Sequence, residues 1–288
     1  MQVLKAPLLL LALVLLAGAP HLAHAKPLAN VVLESGTRME WADCWFDAPF
    51  TKKVHCGYLY PSHGSVRGTV NEVRLPVVVI GKRFSRHKND PVLYLEGGPG
   101  YSTGLDEAGM ERWWAWLDQH GWPHDLILFD QRGTGLGAPD LDCPNMLKVA
   151  RASLPNALDA RQEGALWREA TGVCRRYLEE QGIDVSAYTT QNITRDIYEL
   201  MEALARSQLG YERFNLYAAS YGTRLGLSLL RTRPQRVRAV ILDSVYPPDK
   251  DALLEGPYLA DNALYLVVEG CAADAACRAR YGDLEARL

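Results

Sequence analysis

Ser220 stands in the run Leu216-Tyr217-Ala218-Ala219-Ser220-Tyr221-Gly222, where an apolar stretch stops on a serine flanked by small residues. That pattern suits nucleophilic catalysis. A serine on a sharp strand-to-helix turn has its hydroxyl lifted clear of its neighbours, and small flanking residues keep Cβ atoms from colliding across the turn. Ala218, Ser220 and Gly222 take the small, serine and small positions of a G-x-S-x-G nucleophile elbow, with alanine in place of the first glycine. An oxyanion forming beside Ser220 needs amide donors. The loop Glu96-Gly97-Gly98-Pro99-Gly100 offers them without steric hindrance, so the backbone N–H groups of Gly98 and Tyr221 are the expected pair.

These groups converge only if the chain builds a parallel sheet whose strand ends face one way. Pro91 to Leu95 and Asp125 to Phe129 read as strands, the first running into the Gly97–Gly100 loop and the second into Asp130-Gln131-Arg132-Gly133-Thr134-Gly135. Phe214 to Ala219 as strand, Tyr221 to Arg231 as helix and Val237 to Leu242 as strand give a right-handed parallel crossover. Asn192 to Leu209 reads as an amphipathic helix, because Ile193, Ile197, Leu200, Met201 and Leu204 recur at three- and four-residue spacing before Gly210. Glu111 to Leu117 and Ala157 to Gln181 also read as helical. Leu75-Pro76-Val77-Val78-Val79-Ile80 reads as an edge strand on account of its proline. Val31 to Val66 is mixed in sequence and reads as an amino-terminal lead-in. Pro247 and Pro248 end the alternation, and Leu253 to Gly270 and Ala272 to Leu288 are expected to be helical.

Composition narrows the function classes. With 288 residues, 48% hydrophobic and 23% charged, the chain is expected to be globular, and a net charge of −3 offers no basic surface for nucleic acid. Met1 to Ala25 has the parts of a secretory signal: Lys5, an apolar run from Leu8 to Ala17, and Ala23-His24-Ala25 before Lys26. The apolar run is too short to span a membrane, so the mature protein is expected to be exported, periplasmic or secreted, with no membrane contact after cleavage. Six cysteines fit that compartment. Fifteen pairings exist, and sequence order suggests Cys44 with Cys56, Cys143 with Cys174, and Cys271 with Cys277. No C-x-x-C occurs, and Gly121 and Pro123 spoil a helical pairing of His120 with His124, so no metal is expected. Gly133-x-Gly135-x-x-Ala138 imitates a dinucleotide fingerprint, but Pro139, Asp140 and Asp142 do not continue as the helix a pyrophosphate needs. No cofactor is expected.

Taken together, Gly97-Gly98-Pro99-Gly100, Asp130 to Gly135, Ser220-Tyr221-Gly222-Thr223-Arg224-Leu225 and Leu242-Asp243-Ser244 resemble the prolyl iminopeptidase and tripeptidyl aminopeptidase group of α/β-hydrolase serine peptidases. The resemblance covers roughly Cys44 to Leu288. It implies an α/β-hydrolase fold, a mostly parallel sheet flanked by helices, with Ser220 as nucleophile and Gly98 and Tyr221 as the oxyanion hole. Asp130 and Arg132 would brace the loops. The implied substrates are peptides, cut from the amino terminus, or small esters. In that group an acid and a histidine follow the nucleophile, yet no histidine follows His124 in this chain. The expected organisation is therefore a signal over 1–25, the amino-terminal part of a hydrolase core over 26–248, and the start of a helical cap over 249–288, with the last strands and both remaining triad residues missing. Two other readings stay open: a non-catalytic protein that binds peptides or a partner in the old cleft, and a small esterase using His55, His63, His87, His120 or His124. Those histidines are expected to be surface or core-satisfied residues, and Asp243 to be structural.

Overall fold

The computed structural model describes residues 28–82 and 90–287. The expected leader and His87 lie outside these residues. One eight-stranded sheet runs through the chain in the order β1-β2-β3-β4-β6-β5-β7-β8. Its strands are β1 (Val31–Val32), β2 (Arg38–Ala42), β3 (Lys52–Tyr60), β4 (Leu75–Lys82), β5 (Val92–Leu95), β6 (Leu126–Phe129), β7 (Phe214–Ala219) and β8 (Val237–Asp243). The sheet is mixed. β1 to β4 and the β4–β6 ladder are antiparallel, while β6, β5, β7 and β8 run parallel and carry the loops of interest at their carboxyl ends.

Strand alternation sorts the core into two layers. Val77 and Val79 of β4, with Leu93, Leu95, Leu216 and Ala218, face the helices α4 (Thr190–Arg206) and α5 (Tyr221–Thr232). Val78 and Ile80 face the other way, against Met110, Trp114 and Leu117 of α1 (Glu107–Gln119). In α4 the expected apolar stripe is buried, and Thr189 caps the helix by accepting the Asn192 N–H.

Two readings of the amino-terminal half need correction. Val31 to Val66 is no lead-in: it supplies β1, β2 and β3, in which aromatic and charged residues alternate with the few that point inward, such as Met39 and Leu59. Pro76 lies in a central strand, between β3 and β6. Its carbonyl accepts from Asp130 N, so its donor-less nitrogen faces the place where β6 has just ended at Phe129. The missing hydrogen bond falls off the end of the ladder and costs the sheet little.

Between β6 and α4 stand α2 (Pro144–Ser153) and α3 (Ala160–Glu180), tied by the Cys143–Cys174 disulfide. Cys44 pairs with Cys56 and Cys271 with Cys277. After β8 come α6 (Ala252–Ala273) and α7 (Ala275–Tyr281), separated at Asp274, whose side chain accepts the Cys277 N–H. α6 buries Val268 and Cys271 but leaves Tyr258, Leu259, Leu266 and Val267 exposed. Among the described residues no helix is long and apolar enough to cross a membrane.

Candidate active site

At the end of β7 the backbone of Ser220 adopts φ 51° and ψ −119°. A non-glycine residue with positive φ is strained by about 1–3 kcal/mol, so its surroundings must hold it there. They do so from both sides: Ser220 N–H donates to Asp243 O at 2.8 Å, and its carbonyl accepts from Thr223 N at 2.9 Å and Thr223 Oγ1 at 2.6 Å. Ser220 itself is exposed. Gly222 cannot be replaced without rearrangement, since a Cβ there would lie 2.0 Å from Leu95 O. The alanine at the first small position is accommodated: Ala218 is fully buried, and its methyl faces Gly226, where a Cβ would stand 3.6 Å away.

The glycine-rich loop after β5 comes close beside the serine. A Cβ on Gly97 would sit 3.1 Å from Ser220 Cβ, and Gly98 takes φ 114°, a conformation natural to glycine. Tyr221 opens α5, so its N–H has no partner one helical turn back. The structure thus brings Ser220, Gly98 and Tyr221 to one end of the parallel sheet, next to the loop after β6. Gln131 Nε2 donates to Glu96 O at 2.9 Å and ties the two loops together. Asp130 is buried and accepts from Thr103 N at 2.8 Å and Leu136 N at 2.9 Å. Burial pushes its carboxyl up, against the opposing pull of those N–H groups. Beside these loops lies a cleft of about 650 Å³, walled by Gly100, Arg132, Tyr188, Thr190, Tyr221 and Arg224.

Arg132 anchors a charge cluster that sequence reasoning missed. Its guanidinium is fully buried and grips Asp196 of α4 through Nε at 2.5 Å and Nη2 at 2.8 Å. Nη2 also donates to His63 O at 2.9 Å and Nη1 to Gly64 O at 3.2 Å. The His63 ring lies 3.1 Å from Asp196 Oδ1 and 3.3 Å from Glu199 Oε2. The second contact is ionic, since His63 Nδ1 lacks a hydrogen-bond partner of proper direction. Thr37 Oγ1 donates to Glu199 Oε2. Burial alone would push the His63 imidazole down, but the Asp196 and Glu199 carboxylates beside it outweigh that and raise its pKa to about 9. The available signal was two carboxylates, Asp196 and Glu199, among the apolar residues of α4, where a solvated face would put none.

The other described histidines are engaged away from the serine. His55 packs edge-on to Trp41, and burial with the nearby Lys53 charge pushes its pKa down to about 4. His120 Nδ1 bonds Trp116 O, and His124 Nδ1 bonds Asp90 O. Among the described residues no histidine is hydrogen-bonded to Ser220 Oγ. Asp243 Oδ2 accepts from Tyr217 OH at 3.1 Å, while its backbone supports the elbow.

Known proteins are similar to this chain in sequence. The family model for the alpha/beta hydrolase fold matches residues 90–275. A tripeptidyl aminopeptidase of Streptomyces lividans is 30% identical over 220 residues, 75% of this chain and 40% of that protein. Serine protease Hip1 of Mycobacterium tuberculosis is 30% identical over 132 residues, 45% of this chain and 24% of that protein. Among solved structures, an epoxide hydrolase of Vigna radiata superposes with a TM-score of 0.33 at 18% identity, covering 60% of this chain and 35% of its own. The matched part of the chain spans 40% or less of the length of these curated relatives.

Proposed function

Because the chain belongs to the alpha/beta hydrolase fold family, we propose that it carries the nucleophilic half of an exported serine peptidase of the aminopeptidase type. Ser220 attacks the scissile carbonyl, and the N–H groups of Gly98 and Tyr221 receive the oxyanion. The observation that carries this reading is the Ser220 backbone: positive φ in a non-glycine residue, held from both sides at the end of a parallel strand. The names of the tripeptidyl aminopeptidase and of serine protease Hip1 support peptide rather than ester substrates. Export is supported by the leader-like first residues and by three disulfides.

On this reading none of the described histidines is the general base of Ser220, because each is engaged elsewhere. The cleft of about 650 Å³ beside Ser220 holds the peptide.

The test uses the native protein from the exported fraction and its Ser220→Ala variant. A fluorophosphonate should label the native protein on Ser220 and leave the variant unlabelled. A tripeptidyl aminocoumarin with a free amino terminus should be hydrolysed, and its N-acetylated form should not. Equal labelling of Ser220→Ala, or no hydrolysis of either compound, would overturn the proposal.

A further inference from the structure

A second cavity, of about 420 Å³, opens between α4 and α5. The two helices lie side by side, with Thr190 Oγ1 of α4 bonded to the Tyr221 hydroxyl of α5 at 2.9 Å near one end and the Arg233 guanidinium 4.5 Å over the Tyr198 ring near the other. Thr190 also walls the cleft beside the catalytic loops. The cavity is therefore a groove that starts at that cleft and follows the helices away from it.

Three arginines and no carboxylate line the groove. Arg195 comes from the second turn of α4, and Arg231 and Arg233 come from the end of α5. All three are exposed. The carbonyl end of a helix suits a cation, which accounts for Arg231 and Arg233 on α5; Arg195, near the opposite end of its helix, has no such reason to stand beside them. The Arg231 side chain makes no hydrogen bond or ion pair among the described residues, and the Arg233 guanidinium has an aromatic face in place of an anion. Arg195 reaches Glu199 Oε1 at 3.2 Å, but Glu199 and its neighbour Asp196 are already held by His63 and Arg132. The hydroxyls of Thr194 and Ser228 donate to carbonyls of their own helices, so the groove's available donors are the guanidinium groups and the Gln191 amide. A chain with a formal net charge of −3 thus gathers three uncompensated positive charges along one groove.

Guanidinium forks match carboxylates, which they hold through paired N–H donors. In an aminopeptidase the portion of substrate on the amino side of the cut ends in a positive amine, which three arginines repel. The groove suits the portion on the other side. Arg195 stands five residues beyond Thr190, and Arg231 eleven beyond Ser220, about 8 Å and about 16 Å along their helices. An extended peptide advances about 3.3 Å per residue, so groups roughly three to five residues past the cut come level with the guanidinium groups. We infer that the groove between α4 and α5 is a secondary binding site for carboxylates on the leaving portion of a peptide substrate, either acidic side chains or a free carboxyl end. This inference rests on the peptidase reading above and names what the extension of its cleft selects.

The test is direct binding of labelled peptides to the whole protein by fluorescence anisotropy, with Ser220→Ala present throughout so that the peptide stays intact. The first peptide has four alanines, a glycine, two glutamates and a glycine amide; the second has glutamine in place of each glutamate; the third is the second with a free carboxyl end. The glutamate peptide should bind about tenfold more tightly than the glutamine peptide, each exposed pair adding severalfold, and the advantage should shrink in high salt. Tighter binding of the third peptide than of the second shows that the carboxyl end is used as well. Arg231→Gln should cut the glutamate advantage severalfold and Arg231→Glu should remove it; the side chain is exposed and unbonded, so neither change disturbs the packing of α5. Arg233→Gln, from a separate position on the groove, should also reduce it. Equal affinity for all three peptides, no binding of any, or an Arg231→Glu protein that keeps the parent's preference would overturn the inference. Fluorophosphonate labelling of Ser220 involves no carboxylate, so it reports on the peptidase reading separately.

Discussion

Raising the pH should unlock the cluster around His63, and the size of the effect follows from its charges. With His63 protonated, the buried set of Arg132, His63, Asp196 and Glu199 is neutral; without that proton the remaining negative charge has only the part-exposed Arg195 beside it, 3.2 Å from Glu199. The folded imidazole titrates at about 9, against 6.5 for the free side chain. A group whose pKa is raised by folding contributes stability that is full below the unfolded value and lost as pH climbs through the folded one. The window is therefore pH 6.5 to just above 9. At about 1.4 kcal/mol per pH unit, the difference amounts to on the order of 3 kcal/mol, an upper figure because water can relax around the site. For a domain of this size that is roughly 6–12 °C in Tm. The assay is a series of thermal melts between pH 6 and 10 on the parent and on His63→Gln. The parent should lose stability across the window, and the variant should start lower and stay flat. A parent whose Tm does not change between pH 6.5 and 9.5, or a variant that falls in parallel with it, would refute the assignment.

Other perturbations probe the remaining parts of the scaffold. Asp196→Asn strips the buried Arg132 of its counter-ion and should cost about 3–5 kcal/mol in urea unfolding; a loss under 1 kcal/mol would show that the cluster does not hold the cleft wall. Gly222→Ala forces a methyl against Leu95 O, so we expect a loss of at least about 3 kcal/mol, or insoluble protein, and a parent-like melt would contradict the packing of the elbow. Removing the Cys143–Cys174 bridge by Ser substitution opens a loop with a sequence separation of 31 and should cost about 3–4 kcal/mol in the chain-entropy model, seen as a lower denaturant midpoint. On the acid side, burial opposes but the ion pair with His63 and the hydrogen bond from Thr37 prevail to hold Glu199 below its ordinary value. Stability should therefore also fall as pH drops through the range in which that carboxylate gains its proton, and His63→Gln should shift this acid limb upwards.

Legibility in the sequence tracked how local each signal was. The elbow, the glycine loop and the Asp130–Gly135 loop could be read because each is a contiguous motif next to an apolar run, and β7, α5 and β8 followed from their rhythm. Amphipathic α4 was equally plain, since its stripe repeats at helical spacing. β2 and β3 were hidden because the antiparallel half of the sheet uses Arg38, Glu40, Lys52 and Lys53 in strand positions and puts only half of each strand against the core. α2 escaped notice although Pro144 sits in its first turn, a position where proline starts helices, because its buried face is thin. The His63, Asp196 and Arg132 cluster joins residues 64 and more positions apart, so no window of sequence contains it. Only the misplaced charges on α4 hinted at it.

The strain at Ser220 and the charge cluster belong to one mechanical argument. A residue at positive φ persists only where its neighbours over-determine it, and here the constraints come from β8 through Asp243 O, from α5 through Thr223, and from β5 through the close approach of Gly97 and Gly222. None of these involves a histidine. The Ser220 hydroxyl and the neighbouring amides are therefore positioned by the parallel half of the sheet alone, and the cluster at Arg132 fixes the opposite wall of the cleft in the same way. Serine peptidases that lose a triad member keep about 10³–10⁴-fold catalysis from the oxyanion hole and binding alone. On the proposed function, a scaffold that holds those two features by backbone contacts and buried charge leaves its base to supply only proton transfer and not the geometry of attack.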